Sequence, residues 1–332
     1  MTAGTSTVTL TASYEQCRRI NARHGRSFYL ATLLLPAWKR RHVHALYGFA
    51  RHVDDIVDAS GGARGATNER ATNERDGDGR DRDGRGTDGR AAALDGVAAR
   101  LEASLAGEPV PDPVLPAFVH TVRSFGIEHD DIRAFMSSMR ADLTVTRYDT
   151  YQDLLVYMEG SAAAIGLMML PVLETLPGTG RSAREPAREL GRAFQLTNFL
   201  RDVAEDRARS RIYLPLEDME RFGVGEADLA GNGCGRRLRE LVAFEAARAR
   251  AHYRRAQEGI DMLVPSSRPC IRAAAALYGG ILDRIAAADH DVLAGRACVP
   301  RRHRAVIFTR HLVAASAAAR AERRPLLAGE PR

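Results

Sequence analysis

Two aspartate-rich segments, far apart in the chain, repeat one arrangement and together restrict the folds open to it. The first carries Arg51, Asp54, Asp55 and Asp58; the second carries Asn198, Arg201, Asp202, Glu205 and Asp206. At about 3.6 residues per turn, positions four apart share a helix face, so Asp54 projects with Asp58, and Asn198 with Asp202 and Asp206. Like charges so placed repel, by roughly 0.2–0.5 kcal/mol for an exposed pair and by more when turned inward. Either segment alone could simply end a helix before a loop, since charge runs usually face solvent. Both, however, sit in apolar helical pattern: Val43, Leu46, Tyr47, Ala50, Val53, Ile56 and Val57 around the first, Phe194, Leu196, Phe199, Leu200 and Val203 around the second. That pattern sets the carboxylates against a core and predicts that a cation is held between them. Oxygen-only donors indicate Mg²⁺ or Mn²⁺, whose shell is completed by water and substrate phosphates. Arg201 precedes Asp202, so on a regular helix it leaves about 100° away and approaches a phosphate from another side.

Helical periodicity recurs along most of the chain and β-type alternation is absent. It predicts helices near Ser13–Leu34, Ala37–Ala59, Ala91–Ala106, Asp112–Phe125, His129–Leu143, Thr150–Gly160, Ser161–Leu176, Ala183–Asp206, Arg236–Met262, Arg268–Leu293 and Arg301–Ala319. The chain therefore reads as an all-α, single-domain helical bundle over 13–320, with a flexible N-terminus over 1–12 and a polar tail over 321–332. Within it, residues 60–90 repeat Ala66–Arg70 as Ala71–Arg75 and then turn to Asp, Gly and Arg. With almost no apolar side chain to bury, this insertion is expected to be disordered.

Composition narrows the partners. The net charge of +6 comes almost wholly from arginine, Lys39 being the only lysine, and it is spread along the chain, which argues against nucleic acid. Arginine binds phosphate bidentately, so the same bias suits an enzyme that draws in diphosphates or rests on anionic lipid. Arg301, Arg302 and Arg304 could do either, or only solvate the tail. Cys17, Cys234, Cys270 and Cys298 fit neither a zinc site nor a disulfide framework. His42 and His44 are two apart, point different ways on a helix, and read with His52 as packing or surface residues. No apolar run is expected to span a bilayer, Met168–Pro171 interrupting the longest, and Met1–Leu10 lacks a secretory pattern. A cytoplasmic location follows, with transient contact at a membrane surface still open and no protein partner legible.

Further segments resemble the squalene/phytoene synthase family, its bacterial phytoene-forming members in particular. They are His24–Phe28, Tyr47 with Arg51, Asp54, Asp55 and Asp58, Gln195 with Asn198, Arg201, Asp202, Glu205 and Asp206, and Arg211–Pro215. Ser138–Asp142, Tyr148 and Leu277–Asp283 extend the likeness. Ser210 stands where the family commonly has glycine, and the insertion after Asp58 is long. The resemblance implies the isoprenoid-synthase fold, with two acidic helices facing across a central cavity.

By the same resemblance, Asp54, Asp58, Asn198, Asp202 and Asp206 would hold Mg²⁺. His24, Arg26, Ser27, Phe28, Tyr47, Arg51, Gln195, Arg201, Arg211 and Tyr278 would hold prenyl diphosphates, with Tyr47, Arg51, Tyr148 and Arg201 nearest the chemistry. An allylic diphosphate ionises when its leaving group is stabilised, and the carbocation must then be kept from water. Phe28, Tyr47, Tyr148, Phe194 and Tyr278 are candidates to face that cation, where any one taken alone reads first as ordinary core and the resemblance favours Tyr47, Tyr148 and Tyr278. Gly160–Gly166 either lets a prenyl chain lie close to backbone or permits tight helix packing. The family reaction joins two prenyl diphosphates through a cyclopropylcarbinyl diphosphate, and reductive closure gives squalene while proton loss gives phytoene or dehydrosqualene. Gly231–Gly235 lacks the context of a Rossmann turn, so no nicotinamide is expected, although such a site need not use that turn. The terminal base is open between released diphosphate and Tyr148. Thr32, one turn beyond Phe28, is expected to leave room for a C20 tail, which favours geranylgeranyl over farnesyl diphosphate. Alternatives are a C30 synthase, a terpene cyclase and an inactive helical scaffold.

Overall fold

The computed structural model describes residues 8–58, 82–231 and 233–321, and these form α-helices joined by short turns, with one isolated bridge between Thr175 and Leu263. In chain order the helices are α1 (Leu10–His24), α2 (Arg26–Thr32), α3 (Ala37–Asp58), α4 (Arg82–Ala106), α5 (Leu115–Phe125), α6 (His129–Ala141) and α7 (Tyr151–Met158). A π turn (Glu159–Ala163) runs into α8 (Ala164–Leu173), followed by α9 (Gly180–Arg201), α10 (Val203–Ala208) and α11 (Leu216–Phe222). After a 3₁₀ turn (Glu226–Ala230) come α12 (Arg236–Met262), α13 (Arg268–Ala287) and α14 (Arg301–Ala321).

Apolar stripes decide how these helices meet. One cluster centres on Phe49 and Phe118, whose rings stack at 3.8 Å, and joins α1, α3, α5 and α6; a second joins α7, α9, α11, α12 and α13 around Leu200, Leu241 and Leu282. Polar anchors fix the register between them. Lys39 is fully buried, donates from Nζ to the Leu173 carbonyl and Ser267 Oγ at 3.0 Å each, and pairs with Glu174 at 2.9 Å, tying α3 to the end of α8 and the start of α13. His42 and His44 are buried and point apart, His42 Nδ1 lying 3.0 Å from Thr121 Oγ1 and His44 Nε2 lying 3.1 Å from Thr32 Oγ1. Burial, with Arg41 and His120 next in effect, pushes His42 down to about 3, so it packs as a neutral ring.

Several boundaries differ from the sequence reading, each for a local reason. The expected single helix from Ser13 breaks at Gly25, where a Cβ would lie 2.5 Å from Asn21 Oδ1 and 2.8 Å from the Tyr47 ring. Helix α4 starts at Arg82, nine residues before the expected Ala91, so the end of the supposed insertion is helical and Arg90 donates to the Val57 carbonyl at 3.1 Å. The rest of that segment, the extreme N-terminus and the end of the tail lie outside the described residues. No break falls at Gly160. From Tyr151 to Leu173 one helix runs through the π turn and past Pro171, begun by a capping box in which Thr150 and Asp153 bond reciprocally. That helix is long and apolar enough to cross a membrane by length and composition, which corrects the expectation that Pro171 interrupts it, but 61% of its apolar window is buried inside the bundle.

Candidate active site

Helices α3 and α9 bring the two acidic segments to opposite walls of one cavity of about 830 Å³. It is lined by six carboxylates (Asp54, Asp58, Asp142, Asp202, Glu205, Asp206) and eight arginines (Arg23, Arg26, Arg51, Arg201, Arg209, Arg211, Arg296, Arg304). An apolar chamber of about 290 Å³ adjoins it, lined by Phe28, Leu35, Met169, Ala187 and Phe194 among others. Tyr47, Ala50, Ser161, Ile165, Gln195, Asn198 and Tyr278 line both chambers, so the charged space and the apolar one meet at these residues.

The walls are joined by charge. Arg211 Nη1 donates to Asp58 Oδ1 at 2.7 Å, and Arg209 reaches Asp58 Oδ2 at 3.2 Å, linking the end of α3 to the turn after α10. On the first wall Arg51 holds Asp54 at 3.1 Å and Asp55 at 2.5 Å. On the second, Arg201 grips Asp202 through two bonds of 2.7 and 2.5 Å, and Arg296 Nε reaches the same carboxylate at 2.9 Å. Arg201 and Asp202 thus act as a pair, contrary to the separate approaches expected. The helix breaks at Asp202 (φ −108°, ψ 15°), so the regular 100° offset does not apply there, although Asp206 N still donates to the Asp202 carbonyl at 2.8 Å.

Carboxylates this crowded hold protons more tightly. Burial, then the neighbouring Asp58, raises Asp54 to about 6; burial, then Asp202, raises Asp206 to about 7, Arg209 and Arg211 opposing the shift. Asn198 Oδ1 is buried at the junction of the chambers with no hydrogen-bond partner among the described residues. An orphaned oxygen beside proton-retaining carboxylates is the donor chemistry a hard divalent cation satisfies. Among the described residues no three acidic or histidine side chains already converge as a finished metal site. A shell of one or two carboxylates with phosphate oxygens, as Mg²⁺ prefers, needs no such convergence.

Of the residues singled out in the sequence, His24, Arg26, Ser27, Tyr47, Arg51, Asp54, Asp58, Gln195, Asn198, Arg201, Asp202, Asp206, Arg211 and Tyr278 line the charged cavity. Phe28 lines the apolar chamber and stacks on Tyr47 with ring centroids 5.9 Å apart, while Tyr278 stacks on Phe194 at 4.5 Å. Tyr148 lines neither chamber. It is 5% exposed, and its ring stacks behind Tyr213 at 6.0 Å and packs against Tyr157 at 5.1 Å. Tyr157 lines the charged cavity instead: its hydroxyl donates to Asp142 Oδ2 at 2.8 Å on the cavity wall, with Phe199 and Tyr213 stacked at 4.0 Å beside it. Spacing could have found Tyr157, since Tyr157, Ser161 and Ile165 follow at intervals of four and all line the cavity. Asp142 is 6% exposed and burial raises its carboxyl to about 6. Thr32 also lies elsewhere. It is fully buried, bonded to Tyr29 O at 2.7 Å and facing His44, so it does not bound the apolar chamber. Gly160–Gly166 permits tight helix packing, since a Cβ on Gly160 would lie 2.4 Å from the Ala134 carbonyl and one on Gly166 2.5 Å from that of Ala187, while Ala162, Ile165 and Gly166 line the apolar chamber.

An all-helical bundle with acidic and arginine-rich walls above an apolar pocket defines a synthase of the isoprenoid type, built for an anionic head and a long hydrocarbon tail. The sequence profile of squalene/phytoene synthases matches residues 21–303, and this chain belongs to that family. It is 38% identical to the 15-cis-phytoene synthase of Synechocystis sp. over 87% of this chain and 81% of that protein, and 37% identical to the phytoene synthase of Arthrospira platensis over 87% and 88%. Among solved structures, a ligand-bound dehydrosqualene synthase superposes with a TM-score of 0.78 at 26% identity, covering 93% of this chain and 98% of that one. A squalene synthase from Alicyclobacillus acidocaldarius gives 0.68 at 25%, covering 86% and 98%.

Proposed function

We propose that this chain is a phytoene-forming prenyltransferase that joins two geranylgeranyl diphosphates head to head. The observation that carries the reading is the shared wall of the two chambers, where Tyr47, Asn198 and Tyr278 separate a space suited to diphosphate from one suited to hydrocarbon. Similarity to relatives named phytoene synthases supports the C40 product. Arg51, Arg201 and Arg211 bind and orient diphosphate oxygens, exchanging their carboxylate partners for the substrate. Asp54, Asp58, Asn198, Asp202 and Asp206 would hold Mg²⁺, or Mn²⁺, which when bound neutralises the leaving diphosphate. One allylic C–O bond breaks, and the carbocation adds to the second substrate's double bond; proton loss closes a cyclopropylcarbinyl diphosphate. That intermediate loses its own diphosphate, rearranges and gives up a second proton to form phytoene. Two diphosphates and two protons leave with it, and no nicotinamide enters the balance. Phe28, Tyr47, Phe194 and Tyr278 exclude water from the cation and present ring faces to it. The released diphosphate is the better placed proton acceptor, because the Tyr148 hydroxyl lies outside both chambers. A cytoplasmic location goes with this reading.

Asp54→Asn and Asp202→Asn test it. Each is expected to lower turnover by at least about a hundredfold while helical circular dichroism is unchanged. Turnover retained by both would remove the role assigned to the acidic walls.

A further inference from the structure

Helix α14 carries an outer face that no other part of the described structure covers. Of six large apolar side chains exposed among the described residues, three lie on this helix: Val306, Leu312 and Val313, at 64%, 41% and 76%. Val306 and Val313 are seven apart, so they form one stripe with Ala317. Arg302 and Arg320 flank that stripe on one side, and His303 and Arg310 on the other. No acidic residue occurs in Arg301–Ala321, and none of its five arginines forms an ion pair among the described residues. The opposite face is spent on the fold, with Ala315 buried and Ile307 and Phe308 packed against the core.

We propose that this face docks the protein on an anionic lipid bilayer. An apolar stripe between arginines matches the layering of such a surface: valines enter the acyl boundary while the guanidinium groups stay at the phosphates. A nucleic-acid surface would have no use for valines at its centre, and the complete absence of carboxylates selects an anionic partner over a neutral one. Position supports the same occupant. Arg304, one turn in from the start of α14, lines the charged chamber from the opposite side of the helix, as do Arg296, Cys298 and Val299 just before it, so docking holds that chamber one helix diameter, roughly 10 Å, from the membrane. The inference rests on the proposed reaction only for its purpose, which is to take amphiphilic substrates from lipid and return a hydrocarbon to it.

Flotation of the full chain with vesicles tests the proposal without needing turnover. Wild type is expected to float with phosphatidylcholine–phosphatidylglycerol vesicles, to stay behind with phosphatidylcholine alone, and to be released by high salt. Val306→Asp with Val313→Asp, and separately Arg302→Glu with Arg310→Glu, should each weaken binding about tenfold or more. None of these residues lines either chamber, so both variants should keep wild-type turnover on detergent-solubilised substrate and an unchanged melting temperature. Failure of wild type to float, or flotation by both variants equal to wild type, would overturn the proposal. So would a dimer that Val313→Asp converts to monomer, which would assign the face to a second copy. A chain that floats but makes no hydrocarbon keeps the docking face and loses the reaction; one that makes hydrocarbon but never floats does the reverse.

Discussion

Arg211 and Arg209 reach the same carboxylate from different depths, and the difference sets a quantitative expectation. Arg211 is 12% exposed at its side chain, donates to Asp58 at 2.7 Å and also to the Asp142 carbonyl at 3.3 Å. Arg209 is 56% exposed and meets Asp58 at 3.2 Å. An exposed pair contributes about 0.2–1 kcal/mol once solvent screens it, which is less than about fivefold. A charge-assisted bond in a half-buried site contributes about 1.5–3 kcal/mol, which is about 10–150-fold. If both arginines turn from Asp58 to the incoming diphosphate, Arg211→Ala should lower kcat/KM by about 10–150-fold and Arg209→Ala by less than about fivefold. Arg211→Lys should recover only part of the loss, since one ammonium cannot match the guanidinium fork. Steady-state release of diphosphate measures all three, with melting temperatures taken alongside to separate binding from folding. Equal losses in the two alanine variants, or a larger one at Arg209, would refute the reasoning from depth.

The pocket and the fold give further expectations. Thr32→Phe should overpack the contact with His44 and cost about 1–3 kcal/mol of stability while leaving substrate preference unchanged. Met169→Trp, which fills the apolar chamber, should instead move preference from C20 towards C15 substrate, as competition between the two diphosphates would reveal. Glu245 is buried beside Asp218, with Arg248 at 2.6 Å from one and 2.7 Å from the other. Burial first, opposed by Arg248 and reinforced by Asp218, raises its carboxyl from 4.5 to about 8. The folded chain therefore binds the extra proton, and this contribution to stability is complete below 4.5 and lost as pH rises through about 8. Urea unfolding should show Glu245→Gln losing less stability than wild type between about pH 5 and about pH 9; an identical pH slope in the two proteins would count against it.

How much of this was legible in the sequence depends on what each feature needs. Long amphipathic helices declare themselves by period, and α12 was placed at Arg236–Met262 to the residue. The two acidic segments were legible as well, though not their helix ends, because repelling carboxylates in an apolar pattern already call for a partner. What period cannot register is a break made by tertiary contact. Gly25 ends α1 because Tyr47 crowds it, and Asp202 interrupts α9 while the hydrogen bonding of Asp206 carries on past it. Side-chain direction in short helices was equally hidden, so Thr32 was assigned to a cavity it does not touch. Tyr148 was singled out by resemblance alone, and Tyr157 went unnamed, for a related reason. Both are tyrosines near the second wall, and only the packing of Tyr213 against Tyr148 decides which of the two lines the cavity.

The reaction itself is tested most directly by incubating the purified protein with Mg²⁺ and either geranylgeranyl or farnesyl diphosphate, without NADPH, and identifying the extracted hydrocarbon by chromatography and mass spectrometry. A C40 triene-centred hydrocarbon from geranylgeranyl diphosphate is the expected result. A C30 product from farnesyl diphosphate alone would contradict the assigned chain length, and no hydrocarbon from either substrate would contradict the proposed activity.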